Sequence, residues 1–126
     1  MDVVDSSGWL EYFAAGPNAE FFAAAVEAVD ELVVPTVSLY EVFRRVLQQR
    51  GEGDALQAVA LMQQGSVVEL TPPIALDAAR TGADLGLPMA DSIILATARA
   101  YQATLWTQDS DFAGIESVRY IARASL

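Results

Sequence analysis

Apolar positions along the chain fall into two rhythms. Short apolar-rich runs recur at Asp2 to Val4, Leu32-Val33-Val34, Val67-Val68-Glu69-Leu70, Thr104-Leu105-Trp106-Thr107 and Val118 to Ile121. Their length and composition predict five short strands, the first of them buried. Between them, apolar residues return at helical spacing. Trp9, Leu10, Tyr12 and Phe13 form one such stretch, ended by Gly16-Pro17. Asn18 is placed to cap a second, carrying Phe21, Phe22, Ala25, Val26 and Val29.

The same reading continues toward the carboxyl end. Pro35 and Thr36 close the second strand, and Ser38 opens a helix that runs to about Arg50. After the break at Gly51-Glu52-Gly53, Asp54 is placed to cap a helix with Leu56, Val59, Ala60 and Met62 on its buried side. Gly65 ends it. Pro72-Pro73 suits a helical first turn, where a missing N–H costs nothing. That helix runs through Leu76, Ala79 and Ala83 to the break at Gly86-Leu87-Pro88. Ala90 to Tyr101 forms another helix, and a short helical piece follows near Phe112. Strands alternating with helices predict an α/β fold whose parallel sheet is covered on both faces. Residues 1–126 offer one core and no linker or repeat, so one domain is expected.

In an open α/β sheet the functional crevice lies beyond the carboxyl ends of the strands. Asp5 ends the first strand there and Asp109 follows the fourth, with Asp111 close behind. Glu41 and Asp91 lie in the first turns of helices after a strand or a proline. Each acid also has an ordinary structural use. Asp5 suits a helix cap. Glu41 stands at capping-box spacing from Ser38 and within helical reach of Arg44 and Arg45. Asp91 complements a helix dipole, and Asp109 and Asp111 suit a turn. Taken together they would repel one another, and a shared cation removes that repulsion.

Composition narrows the chemistry. Of 126 residues, 53% are hydrophobic and 19% charged, enough for a folded core. Seven Arg stand against 17 Asp and Glu, a formal charge of -10, so bulk attraction does not draw nucleic acid to this chain. Without His there is no Ser-His-Asp triad and no imidazole acid–base pair. Without Cys there is no thiol nucleophile or thiolate zinc site. The chain also has no Lys, which excludes a phosphate-binding Walker loop. It further disfavours the dehalogenase-like phosphatases and response-regulator receivers, which set a Lys beside their aspartates. What remains is carboxylate chemistry with a hard divalent cation such as Mg²⁺ or Mn²⁺. The acidic amino end lacks a signal-peptide pattern and no apolar run is long enough to span a bilayer, so a cytoplasmic protein is expected.

Four segments then carry a family resemblance. They are Val3-Val4-Asp5-Ser6-Ser7-Gly8-Trp9, Val34-Pro35-Thr36-Val37-Ser38-Leu39-Tyr40-Glu41, Leu87-Pro88-Met89-Ala90-Asp91-Ser92 and Leu105-Trp106-Thr107-Gln108-Asp109-Ser110-Asp111. In this order and spacing the chain resembles the PIN-domain ribonucleases, and the VapC toxins of VapBC toxin–antitoxin pairs most closely. The resemblance implies a five-stranded parallel sheet of order 3-2-1-4-5. It implies that Asp5, Glu41, Asp91 and Asp109 form a catalytic Mg²⁺ site, with Asp5 and Asp91 as the direct ligands and Asp111 as a helper. Thr107 and Ser6 would orient the cluster. Arg44, Arg45, Arg50 and Arg99 are the candidates for phosphate contact, and Tyr12 and Phe13 for an antitoxin groove.

The implied activity is metal-dependent cleavage of RNA phosphodiesters, transfer or ribosomal RNA in particular, leaving a 5′-phosphate. The implied partners are a VapB-like antitoxin and a second copy of the chain. Three other readings stay open: a PIN-like binding scaffold without catalysis, a different carboxylate–metal nuclease, and a small-molecule phosphatase. Length and the all-parallel pattern disfavour the second of these.

Overall fold

A computed structural model describes residues 1–124. Five short strands are present: β1 (Asp2–Val4), β2 (Val33–Pro35), β3 (Ser66–Val68), β4 (Thr104–Thr107) and β5 (Val118–Tyr120). The helices are α1 (Ser6–Phe13), α2 (Ala19–Val26), α3 (Thr36–Arg50), α4 (Glu52–Met62), α5 (Pro72–Leu85) and α6 (Met89–Ala100). Short 3₁₀ turns lie at Val29–Glu31 and Ser110–Phe112.

All strand pairings are parallel, as expected, but the sheet is not one unbroken ladder. β1, β4 and β5 form a three-stranded sheet in the order β1-β4-β5, and β2 pairs with β3 alone. A single bridge, Asp2 to Leu32, lies between the two pieces. The expected continuous order 3-2-1-4-5 is corrected accordingly. Strands of three or four residues leave too few backbone groups to extend a ladder once neighbours diverge through sheet twist.

Alternation within each strand sends neighbouring residues to opposite faces. Val4, Val34 and Trp106 join Trp9, Phe22, Val42, Val46 and Met62 in one apolar cluster, beneath α1 to α4. Val3, Val33 and Leu105 join Ile94, Leu95, Ala98 and Phe112 in another, beneath α6. Helices therefore cover both faces.

Several local expectations shift. α3 begins at Thr36, two residues before Ser38, because Pro35 already supplies the extended residue at the helix entrance. Ser38 is thus inside the helix, its hydroxyl buried without a partner, and no capping box with Glu41 forms. Gly51, not Asp54, stands at the start of α4. α4 buries Ala55, Ala58 and Met62 while Leu56 is exposed; the small residues let α4 approach the Val42–Val46 face of α3. α5 buries Ile74 and Ala78, while Leu76, Ala79 and Ala83 are exposed. Thr71 caps α5 through the Ile74 N–H, and Gly86 ends it at φ 67, a left-handed conformation that glycine adopts without strain.

Candidate metal site at the carboxyl rim

Two neighbouring strands of the three-stranded sheet, the edge strand β1 and the central strand β4, end side by side. Asp5 follows β1, and its backbone N–H donates to the Trp106 carbonyl at 2.9 Å, extending the pairing one residue beyond the strand. The Asp5 side chain is 2% exposed and does not cap α1. Instead its Oδ2 accepts from the Ser7 hydroxyl at 2.7 Å and the Thr107 hydroxyl at 2.8 Å. Burial pushes its pKa up, the two hydroxyls pull it down, and the charge of Asp109 raises it further; the net shift is upward.

Thr107 ends β4 and serves two acids. Its hydroxyl donates to Asp5 and accepts from the Asp109 backbone N–H at 2.9 Å. Asp109 then accepts the Asp111 N–H on Oδ1 at 2.9 Å, which shapes the following 3₁₀ turn. The turn reading of Asp109 was therefore right, and it does not compete with a place in the cluster. Glu41 reaches from α3 and accepts the Ser6 hydroxyl at 2.7 Å, an interaction across 35 residues. Ser6 thus orients Glu41, while Thr107 orients the Asp5 carboxylate and anchors the Asp109 backbone.

Asp91 lies in the first turn of α6, where a helix dipole favours the charged form. That advantage does not win. Partial burial, followed by the charges of Asp5, Asp109, Glu41 and Asp111, pushes its pKa up to about 7. Carboxylate oxygens of Asp91, Asp109 and Asp111 lie within 4.8 Å of one another. This triple gives Asp111 a larger place than expected and does not include Asp5 or Glu41. Asp5, Glu41, Asp91 and Asp109 nevertheless line one open groove of about 710 Å³.

No Arg is ion-paired with these acids among the described residues; the ion pairs found are Met1–Glu31 and Arg80–Asp77. An all-oxygen donor set with no internal cation fits a hard divalent ion such as Mg²⁺ and does not fit a soft metal.

The Arg candidates divide. Arg45 and Arg50 line the groove. Arg44 is turned to the Tyr40 hydroxyl at 3.2 Å, and Arg99 lies in a separate shallow cleft with Asp77 and Arg80. Phe13 lines the groove, whereas the Tyr12 hydroxyl is bound to Glu27 at 2.9 Å. Sequence reasoning missed Asn18, Gln108 and Arg123. Asn18 stands at the N-cap position of α2, as expected, but its side chain makes no cap bond; the buried amide donates to Gln108 and the Ala122 carbonyl. Arg123 lines the groove from the chain's last described segment, and no local pattern signals it.

With this geometry in place, comparison with known families is decisive. Residues 3–117 match the PIN domain. The chain belongs to the PIN-domain family. Among solved structures, this PIN domain is similar to a toxin–antitoxin complex from Klebsiella pneumoniae, at 22% identity, TM-score 0.79, and 94% and 96% coverage of the two chains. It is similar to a sarcin–ricin loop cleaving VapC toxin of Mycobacterium tuberculosis, at 15% identity, TM-score 0.76, and 92% and 95% coverage. It is also similar to VapBC from Rickettsia felis bound to promoter DNA, at 11% identity, TM-score 0.73, and 95% and 96% coverage. At these identities the likeness establishes a shared PIN fold over nearly the full length of both chains. Comparison with the curated proteins finds no significant match.

Proposed function

We propose that this PIN domain is a Mg²⁺- or Mn²⁺-dependent endoribonuclease, acting in the cytoplasm as the toxin of a VapBC-type pair. The observation that carries the reading is the Asp91–Asp109–Asp111 triple, within 4.8 Å and not ion-paired to any Arg among the described residues. Asp5 and Glu41 complete the acidic groove. A divalent ion held there would neutralise charge on a phosphodiester and activate water for in-line attack.

The chain's own residues do the positioning. Thr107 and Ser7 fix the Asp5 carboxylate, Ser6 fixes Glu41, and the Thr107–Asp109 contact sets the start of the acidic turn. Asp91, with its pKa near 7, gives up its proton readily once a cation offsets its acidic neighbours. Arg45 and Arg50 place positive charge where a phosphate backbone would enter.

The toxin role and a VapB-like antitoxin are supported by the VapBC and toxin–antitoxin complexes that share the fold, and a homodimer is proposed with them. Of the two proposed substrates, transfer and ribosomal RNA, the second is supported by the relative that cleaves the sarcin–ricin loop.

The test is incubation of the purified protein with total cellular RNA, with Mg²⁺ or Mn²⁺ and with chelator, beside Asp5→Asn. Discrete metal-dependent products absent from the variant are expected. No cleavage by folded, antitoxin-free protein would favour the scaffold reading instead.

A further inference from the structure

Residues 121–124, which follow β5, have no regular structure, yet they are fastened at two successive positions. The Ile121 N–H donates to the Thr107 carbonyl at 3.0 Å, continuing the parallel pairing past the strand, and the Ile121 side chain packs on the main core. The Ala122 carbonyl accepts from the Asn18 amide at 3.1 Å.

Asn18 is 8% exposed, and its other amide bond goes to Gln108 Oε1 at 3.0 Å. Its backbone N–H donates to Glu11 Oε2 at 2.7 Å. A buried amide with every donor engaged specifies its partners, because leaving one unpaired costs about 1–3 kcal/mol. Gln108 in turn stands between Thr107 and Asp109 and is 3% exposed. The clamp therefore joins the tail to the strand end that carries the acids.

The residue placed by this clamp is Arg123. It lies on the wall of the groove that holds Asp5, Asp91 and Asp109, and it is not ion-paired among the described residues. Arg45 and Arg50 reach the same groove from α3, so Arg123 adds a cation from a separate element. In a chain of formal charge -10, such local cations decide whether a polyanion can enter.

We propose that Arg123 binds the sugar–phosphate backbone of the RNA strand in the groove, and that Asn18 is the positioning residue that holds the tail in place for it. This rests on the nuclease reading above.

The test measures initial rates of cleavage of total cellular RNA in Mg²⁺, across RNA and salt concentrations, for wild type, Arg123→Ala, Arg123→Lys and Asn18→Ala. For Arg123→Ala the loss should fall on KM, raised several-fold, rather than on kcat. Its salt dependence, as the slope of log(kcat/KM) against log salt, should become shallower by about 0.7, the share of one phosphate contact on a single strand. Arg123→Lys should recover most of both effects. Asn18→Ala should raise KM although Arg123 is intact, at temperatures where circular dichroism shows it folded. An active Arg123→Ala with wild-type KM and salt slope would overturn the tail proposal and leave the nuclease reading standing. Absence of any metal-dependent cleavage by wild type would overturn both.

Discussion

The hydroxyl of Thr107 donates to the buried carboxylate of Asp5 at 2.8 Å and so ties the end of β4 to the end of β1. The same oxygen accepts the Asp109 N–H. Thr107→Val keeps the shape and removes both bonds, leaving an N–H and a carboxylate short of a partner. Stability should fall by about 1–3 kcal/mol, and cleavage should fall at least tenfold, while Thr107→Ser retains most of both. Denaturant melts and cleavage rates on the three proteins check this. A fully active Thr107→Val would show that the hydroxyl does not orient the acids.

Asp91 gives the metal-free protein a specific pH dependence. Its folded pKa of about 7 lies above the ordinary 3.8. Between those values the folded state holds more protons at this group than the unfolded chain does, so stability falls as pH rises through this window and levels above it. Asp5, also raised, acts in the same direction. In chelator, Tm should be higher at pH 5 than at pH 8, and Mg²⁺ should recover stability at pH 8. A Tm that rises from pH 5 to pH 8 in chelator would contradict the raised carboxyls.

Gly8 marks where α1 crosses closest to its neighbours. A Cβ there would sit 2.6 Å from Phe22 and 2.8 Å from Val4, both fully buried. Gly8→Ala should cost about 1–3 kcal/mol by overpacking, despite alanine's better helix propensity. A thermal melt that moves upward would mean that this contact relaxes freely.

Ser38 predicts the opposite sign. Its hydroxyl is buried in α3 without a partner. Ser38→Ala removes an unsatisfied group and favours the helix, so stability should stay level or rise by up to about 1 kcal/mol. Marked destabilisation would reveal a water or partner bound to that hydroxyl.

The strands and helices were legible because their signals are local. Leu32 to Val34 and Thr104 to Thr107 read as buried strands and lie within a residue of β2 and β4. Helix faces were less legible where neighbours set them. Leu56 and Leu76 sit at the right period, yet alanines at 55, 58 and 78 take the buried positions because close helix contact favours small side chains. Asn18 looked like a cap because the sequence before α2 contains that motif; its amide was claimed instead by Gln108, 90 residues away.

The sequence by itself determined the chemistry available: no His, Cys or Lys, and acids placed just after strands or at helix starts. It also determined the parallel α/β alternation, through residue periodicity. Tertiary structure alone decided which acids meet. It joined Asp111 to Asp91 and Asp109, set Asp5 against Thr107, gave Glu41 to Ser6, and turned Arg44 and Arg99 away from the groove while bringing Arg123 to it. The physical reason is range. Backbone propensity and hydrophobic period act over a few residues and are written in the local pattern. Hydrogen bonds, desolvation and charge coupling between residues such as 5 and 107 act through space, and their strength is fixed only when the packed chain brings those groups together.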